Sequence, residues 1–296
     1  MNMPFGVWVA SVTFFNDDDS LDLVSQRKHF DWLLDNGVEG LVPVGTTGEG
    51  STLNSQERAS IIQLACEVAA TKNKKVMAGC GGNHTSAVGN AIREAHNCGA
   101  HSALVVTPYY NRPTQEGLIA HYLKLADQSP IPLILYNVPS RTGVNLLPET
   151  VHKLWKHPQI IGLKEATGSH SQWLSLTAEG IPKDKVLLAG DDDAFATLYA
   201  FGARGVISAS ANLVPRQFVQ LHHLLEEKNW EKAFSLQQKL FPLIRALFTE
   251  TNPSPLKYSL SWLNRGKNRL RLPLVPIKTD TEGLLQEQIK ALEVAE

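Results

Sequence analysis

The sequence predicts an α/β protein, a (β/α)8 TIM barrel followed by a C-terminal helical domain, and three observations carry that reading. Apolar, β-branched segments alternate with segments of helical periodicity at intervals of about thirty residues, the length of one βαβ unit. Eight strand-like segments occur before the pattern changes, at about Pro215, to helices alone. The chain has 296 residues, which suits one barrel of about 250 residues with an appendage. An open doubly wound sheet commonly has fewer strands and a GxGxxG turn after the first, and no such turn follows the first strand here.

Taken in order, the first strand is Val7 to Val12. An acidic turn, Asn16-Asp17-Asp18-Asp19-Ser20, leads into a helix with Leu23, Phe30, Leu33 and Leu34 at helical spacing, stopped by Asn36-Gly37. The turn lacks the glycine and glutamate of a calcium loop at the required offsets, so it reads as a solvated turn and helix cap. Further strands are expected at Gly40 to Val44, Val76 to Gly79, Ala103 to Thr107, Leu133 to Tyr136, Ile160 to Lys164, Val186 to Ala189 and Gly205 to Ser208. Helices are expected between them, among them Ser55 to Ala70, Ser86 to Asn97, Gln115 to Asp127 and Ala194 to Phe201. The tail predicts helices at Gln217 to Glu227, Trp230 to Phe248, Pro255 to Asn264 and Thr281 to Val294. We divide the chain into a catalytic barrel, 1–225, and a helical domain, 226–296, with no low-complexity linker between them.

Composition excludes several functional classes. Hydrophobic residues at 43%, charged residues at 19% and a net charge of -1 are the balance of a soluble globular protein. Lys and Arg are scattered, and no basic block alternates with aromatics, so nucleic acid is not an expected partner. Cys66, Cys80 and Cys98 are odd in number and lack CxxC spacing, which argues for reduced thiols rather than disulfides or structural zinc. The apolar start, Met1 to Phe15, lacks the charged leader and cleavage pattern of a signal peptide. No run approaches the ~20 apolar residues of a membrane helix. The expected location is cytoplasmic, with no membrane partner.

In such a barrel the chemistry sits where strands end, because eight loops converge there. The sixth strand, Ile160-Ile161-Gly162-Leu163-Lys164, ends in a lysine at the edge of a core. Burial lowers an amine's pKa, and a neutral amine attacks a ketone to form a Schiff base; the alternative is a lysine whose head group snorkels to water. After the second strand, Gly45-Thr46-Thr47-Gly48-Glu49-Gly50-Ser51 offers backbone N–H groups and hydroxyls suited to a carboxylate or phosphate, or is an ordinary glycine-rich turn. After the fourth stands Thr107-Pro108-Tyr109-Tyr110-Asn111-Arg112-Pro113, whose adjacent tyrosines cannot both face one pocket. Tyr136 ends the fifth strand, with Arg141 shortly after: a phenol to move protons and a guanidinium to hold a carboxylate by paired bonds. Gly190-Asp191-Asp192-Asp193 follows the seventh strand; without an HxH or HExxH pattern anywhere, these aspartates read as helix caps rather than metal ligands. Together these residues are the equipment for imine chemistry on a small oxo acid, with no metal and no nucleotide loop.

The motifs GTTGEGSTL, VTPYYNRPTQEGL, LYNVPSRTG, GLKEATG, GDDDAF, GVIS and NPSPLKY, in this order, resemble the 4-hydroxy-tetrahydrodipicolinate (dihydrodipicolinate) synthase family of the pyruvate-dependent class I aldolases. The resemblance runs nearly end to end. It implies a barrel with a helical C-terminal domain, assembled as a homotetramer of tight dimers. It implies that Lys164 forms a Schiff base with pyruvate, without cofactor or metal, and that Tyr136 gives and takes the proton beside it. Thr47 and Tyr110 would complete a proton relay, Tyr110 reaching across from a neighbouring subunit. Thr46 and Thr47 would bind the pyruvate carboxylate, Arg141 the carboxylate of L-aspartate 4-semialdehyde, and Gly190 and Ile207 would line the pyruvate pocket.

Within the superfamily, Thr47 and Arg141 favour the synthase over N-acetylneuraminate lyases and keto-deoxy-sugar-acid aldolases, which stay open as alternatives. A barrel that has lost catalysis is disfavoured by the presence of both Lys164 and Tyr136. Asn83 and Tyr109 match the allosteric cleft of lysine-inhibited members, but Ser55, Arg58 and Ala87 depart from it. A cationic Arg58 disfavours a cationic ligand, so weak or absent lysine feedback is expected.

Overall fold

Eight parallel strands pair in sequence order, and the last pairs with the first, closing the barrel in the computed structural model, which describes residues 3–292. They are β1 Gly6–Ala10, β2 Gly40–Val42, β3 Lys75–Gly79, β4 Ser102–Val106, β5 Leu133–Asn137, β6 Ile160–Glu165, β7 Val186–Ala189 and β8 Gly205–Ser208. The α-helices are α1 Leu23–Asp35, α2 Ser55–Thr71, α3 Thr85–Asn97, α4 Gln115–Gln128, α5 Pro139–Thr142, α6 Pro148–Trp155, α7 His170–Thr177, α8 Phe195–Ala200, α9 Pro215–Glu226, α10 Trp230–Leu247, α11 Ser254–Trp262 and α12 Thr279–Ala291. The expected (β/α)8 barrel with C-terminal helices is therefore the observed fold. The first two strands end earlier than the sequence suggests, at Ala10 and Val42.

Strand parity explains why near-continuous apolar runs form this sheet. Val7 and Val9 of β1 face the helices, while Trp8 and Ala10 face the interior with Val42, Met77, Leu104, Ile134, Leu188 and Ile207. Both faces are dry, so alternation is lost from the sequence and every strand position favours an apolar side chain. The floor is filled by Trp8, and Gly40 gives it room: a Cβ there would lie 2.4 Å from the indole. Filling the lower interior leaves only the upper, C-terminal ends of the strands for chemistry.

Helix ends follow local rules. Asn54 and Glu57 form a reciprocal capping box on α2, each accepting the other's backbone N–H at 2.9 Å. On α1 the cap is Asp22, which accepts from the Ser25 N–H at 3.0 Å. This corrects the reading of the acidic turn as a cap. Asp17 and Asp19 of that turn instead meet the tail, at 2.6 Å from Lys267 and 2.7 Å from Arg269.

The short helices α5, α6 and α7 were not singled out by periodicity. With eight residues or fewer each, they span too few turns to display a period. The tail helices fall where expected, except that the last ends at Ala291, and the expected end at Val294 lies outside the described residues. In the tail, Gln237 of α10 donates to the Asp192 carbonyl at 3.1 Å and accepts from the Ala196 N–H, tying the helix to the segment after β7. No helix among the described residues is long and apolar enough to cross a membrane.

Candidate active site

A cavity of about 500 Å³ opens at the C-terminal ends of the strands. Its wall takes in Thr46, Thr47, Tyr136, Arg141, Lys164, Gly190 and Ile207, all singled out from sequence. The tail adds residues that sequence reading gave no role, notably Phe248, Asn252 and Leu274.

Lys164 lies on the inward face of β6 and is 6% exposed. Its strand register pairs it with Tyr136 of β5, and its Nζ stands 4.3 Å from the centroid of the Tyr136 ring. Burial pulls the amine down from its ordinary range to about 8, against the opposing pull of Asp192 and Asp191. Burial also pushes the Tyr136 phenol well above its usual value, although Arg141 works the other way. The neighbouring Glu165 points to the helix side of the sheet. It accepts from the Thr167 N–H at 2.8 Å and from Asn137 and Gln172 at 3.2 Å, which leaves Lys164 free of it.

The loop carrying Thr46 and Thr47 is held in an uncommon conformation. Val44 and Glu49 have positive φ angles of 54° and 50°, and a side chain on Gly50 would bring its Cβ within 2.1 Å of the Val44 carbonyl oxygen. Surrounding bonds fix it: Thr13 donates to the Gly48 carbonyl at 2.7 Å, and Arg58 to the Gly50 carbonyl at 3.1 Å. Glu49, at the cavity wall, sends its carboxylate into a fully buried ion pair with Lys257 at 2.7 Å. Asn252 donates from Nδ2 to the Thr47 hydroxyl at 2.9 Å. Gly190 is required by its neighbours, since a Cβ would lie 2.7 Å from Ala166 and 2.9 Å from the Glu165 carbonyl oxygen.

Arg141 sits on α5, which closes on a left-handed Gly143 with φ 72°. Of the adjacent tyrosines, Tyr109 lines the cavity, whereas Tyr110 is 89% exposed at φ 71°. Asn83 donates to the Tyr109 carbonyl at 3.2 Å. Arg58, expected beside Asn83 and Tyr109, lines the same cavity as Lys164 and also donates to the Gly79 carbonyl at 2.6 Å.

The aspartates after β7 are not the helix caps the sequence suggests. Asp192 is buried and accepts from the Ser210 N–H at 2.7 Å, joining the ends of β7 and β8. Asp191 lines the cavity, and burial raises its carboxyl to about 6. Among the described residues no group of His, Cys, Asp or Glu is arranged to hold a metal ion. The cavity thus combines one depressed amine, two phenols, the Thr46–Thr47 pair and two guanidinium groups, a set suited to binding a keto acid covalently and a second anion alongside it.

The sequence model of the dihydrodipicolinate synthetase family matches residues 3–292. The chain belongs to the dihydrodipicolinate synthetase family. Among curated members of that family, a 4-hydroxy-tetrahydrodipicolinate synthase of Thermodesulfovibrio yellowstonii is 42% identical over 97% of both chains. The dihydrodipicolinate synthase of Thermotoga maritima superposes with a TM-score of 0.96 at 38% identity, covering 99% of this chain and 100% of that one. The chloride-inhibited synthase of Acinetobacter baumannii, solved with pyruvate, gives a TM-score of 0.95 at 36% identity over 99% of this chain and 100% of that one. The family is one of lyases, and this chain is an enzyme of that class.

Asn252 and Lys257 are the site residues that sequence reading missed. Both stand in the NPSPLKY segment that contributed to the family resemblance, so a signal was present without a role attached to it.

Proposed function

We propose that this chain is a 4-hydroxy-tetrahydrodipicolinate synthase that condenses pyruvate with L-aspartate 4-semialdehyde, a step of lysine and diaminopimelate biosynthesis. The observation that carries the reading is Lys164 itself, buried, facing Tyr136 and depressed to about 8 at the mouth of the cavity.

The neutral Nζ of Lys164 attacks the pyruvate ketone, the ketone oxygen leaves as water, and a protonated imine remains. Loss of a methyl proton gives the enamine, whose carbon attacks the aldehyde. The amino group of the second substrate then attacks the imine carbon, closing the ring and expelling the lysine. Each step moves a proton, and Tyr136 is the group beside the nitrogen to move it. Thr46 and Thr47 hold the pyruvate carboxylate, with Gly190 and Ile207 as the pocket wall, and Arg141 takes the carboxylate of the aldehyde. In this reading the barrel domain, 1–225, carries these groups, and the helical domain, 226–296, contributes Phe248, Asn252 and Leu274 to the cavity wall. No metal or organic cofactor is needed, since the lysine is itself the electron sink.

Tyr110 completes the relay with Thr47 from a neighbouring copy in a homotetramer; its 89% exposure on a strained loop supports a role outside its own chain. The reaction belongs to the cytoplasm. At the cleft formed by Asn83 and Tyr109, the Arg58 charge opposes a lysine ligand, so feedback by lysine is weak or absent.

Incubation with pyruvate and borohydride, then mass spectrometry, tests the reading: a reduced pyruvate adduct on Lys164 is expected. A reductase-coupled assay with aspartate 4-semialdehyde must then show turnover. Adduct without turnover would assign the chain to another pyruvate-dependent lyase, and no adduct would sink imine chemistry here.

A further inference from the structure

Of the tail residues at the cavity wall, none of which the roles above use, Asn252 bonds to a residue of the proposed relay. Asn252, between α10 and α11, is 6% exposed, lines the cavity and donates from Nδ2 to Thr47 Oγ1 at 2.9 Å. Thr47 is itself 4% exposed, so little water competes for its hydroxyl. A hydroxyl has one hydrogen and two lone pairs. With one lone pair taken by the amide, the hydrogen must point away from Asn252.

We propose that Asn252 is a positioning residue that fixes the direction in which the Thr47 hydroxyl donates its hydrogen, turning it into the cavity. The proposal rests on the relay role given to Thr47 and names what sets that relay's polarity.

A threonine hydroxyl without such a partner rotates among staggered positions, and only some of them donate toward the reacting groups. The backbone beneath it is fixed by the same stretch of tail. Lys257 holds Glu49 at 2.7 Å with both side chains fully buried, and the Arg271 N–H donates to the second Glu49 oxygen at 3.1 Å. The ion pair therefore fixes where the hydroxyl oxygen is, and the amide fixes where its hydrogen goes. Two other donors to this loop, Thr13 and Arg58, bind carbonyl oxygens and leave the hydroxyl alone.

The test compares Asn252→Ala and the isosteric Asn252→Asp in the full-length enzyme, each also combined with Thr47→Val. Asn252→Ala is expected to lower kcat by at least about tenfold, short of the roughly 10²–10⁴-fold of a general acid–base contribution lost outright, since the hydroxyl stays in place and loses only its orientation. In the Thr47→Val background the same substitution should change kcat by less than about twofold, because the hydroxyl it orients is gone. A merely structural role predicts the same fractional loss in both backgrounds, and that result overturns the proposal. Asn252→Asp adds a pH signature and carries the test should the alanine variant fold poorly. An ionised carboxylate only accepts, so it reverses the hydroxyl, whereas its protonated form donates again. Relative to the unsubstituted enzyme, its kcat should rise as pH falls. Lys164, Tyr136, Tyr109, Arg141, Arg58, Asp191 and Glu49 line the same cavity in both proteins, and that ratio removes their common titration. A pH-independent ratio, or a loss wholly explained by a higher midpoint for adduct formation at Lys164, also overturns it. If Thr47→Val alone keeps full kcat, the relay reading fails and takes this inference with it; if Thr47→Val is crippled while both Asn252 variants are not, only this inference fails.

Discussion

Tyr136 and Lys164 are register partners on adjacent parallel strands, and the Lys164 Nζ lies 4.3 Å from the Tyr136 ring centroid. Two effects of opposite sign meet at that nitrogen. The ring face attracts an ammonium by about 0.5–2 kcal/mol, while burial disfavours it. Burial wins, since the amine is drawn down to about 8. Roughly one molecule in ten then carries a neutral nucleophile at pH 7, against fewer than about one in a thousand for an unperturbed lysine.

The rate of pyruvate adduct formation should accordingly climb about tenfold per pH unit below the Lys164 midpoint near 8 and level off above it. Borohydride trapping at short times across a pH series measures this. A flat profile between pH 6 and pH 8 would show that the amine is neutral throughout, contrary to the balance of forces described here.

Lys164→Met should abolish turnover and at the same time stabilise the fold. The folded protein binds the Lys164 proton less well than the unfolded chain, so the lysine is destabilising below about pH 8 and the penalty fades as pH rises toward 10.5. Removing it should yield up to about 3 kcal/mol at neutral pH, shrinking in alkali. Denaturant titrations of both proteins at neutral and alkaline pH decide the matter; an equal difference at both would contradict it.

If Arg141 holds the second substrate as proposed, Arg141→Ala should raise KM for the aldehyde far more than it slows pyruvate adduct formation, where the only loss expected is the small part of the Lys164 depression that the guanidinium supplies. Arg141→Lys should recover little, as an ammonium cannot form the paired bonds. Steady-state kinetics with each substrate varied in turn separates the two. Parallel loss of the pyruvate adduct would argue against this division of labour.

The buried Glu49–Lys257 pair yields a stability prediction. Replacing either partner alone, by Glu49→Gln or Lys257→Met, strands a charge and should cost about 3–5 kcal/mol. The double replacement should be less damaging than either single one. Additive losses in a double-mutant cycle would mean that the two groups are held independently.

Lys164 and Tyr136 were legible in the sequence because they stand at the ends of apolar runs, and Arg141 because it follows one such run closely; a closed barrel gathers strand ends in one place. Asn252 and Lys257 were not, since they reach Thr47 and Glu49 across 205 and 208 residues of chain. A lone amide or amine in a helical tail carries no period that announces such a contact. The aspartates after β7 were misread for a different reason. A strand, an acidic turn and a helix in succession look like a capped helix, but here the bond of Asp192 runs to Ser210 on the next strand's loop.

The grip of Asn252 and Lys257 on the second βα loop has a consequence for how this enzyme can be taken apart. A gene fragment ending after β8 retains every strand of the cylinder, yet it leaves Thr47 and Glu49 without their anchors. Such a fragment is a scaffold rather than a minimal catalyst. Any chimera that gives this cylinder a foreign tail must bring an asparagine and a lysine to the same two places.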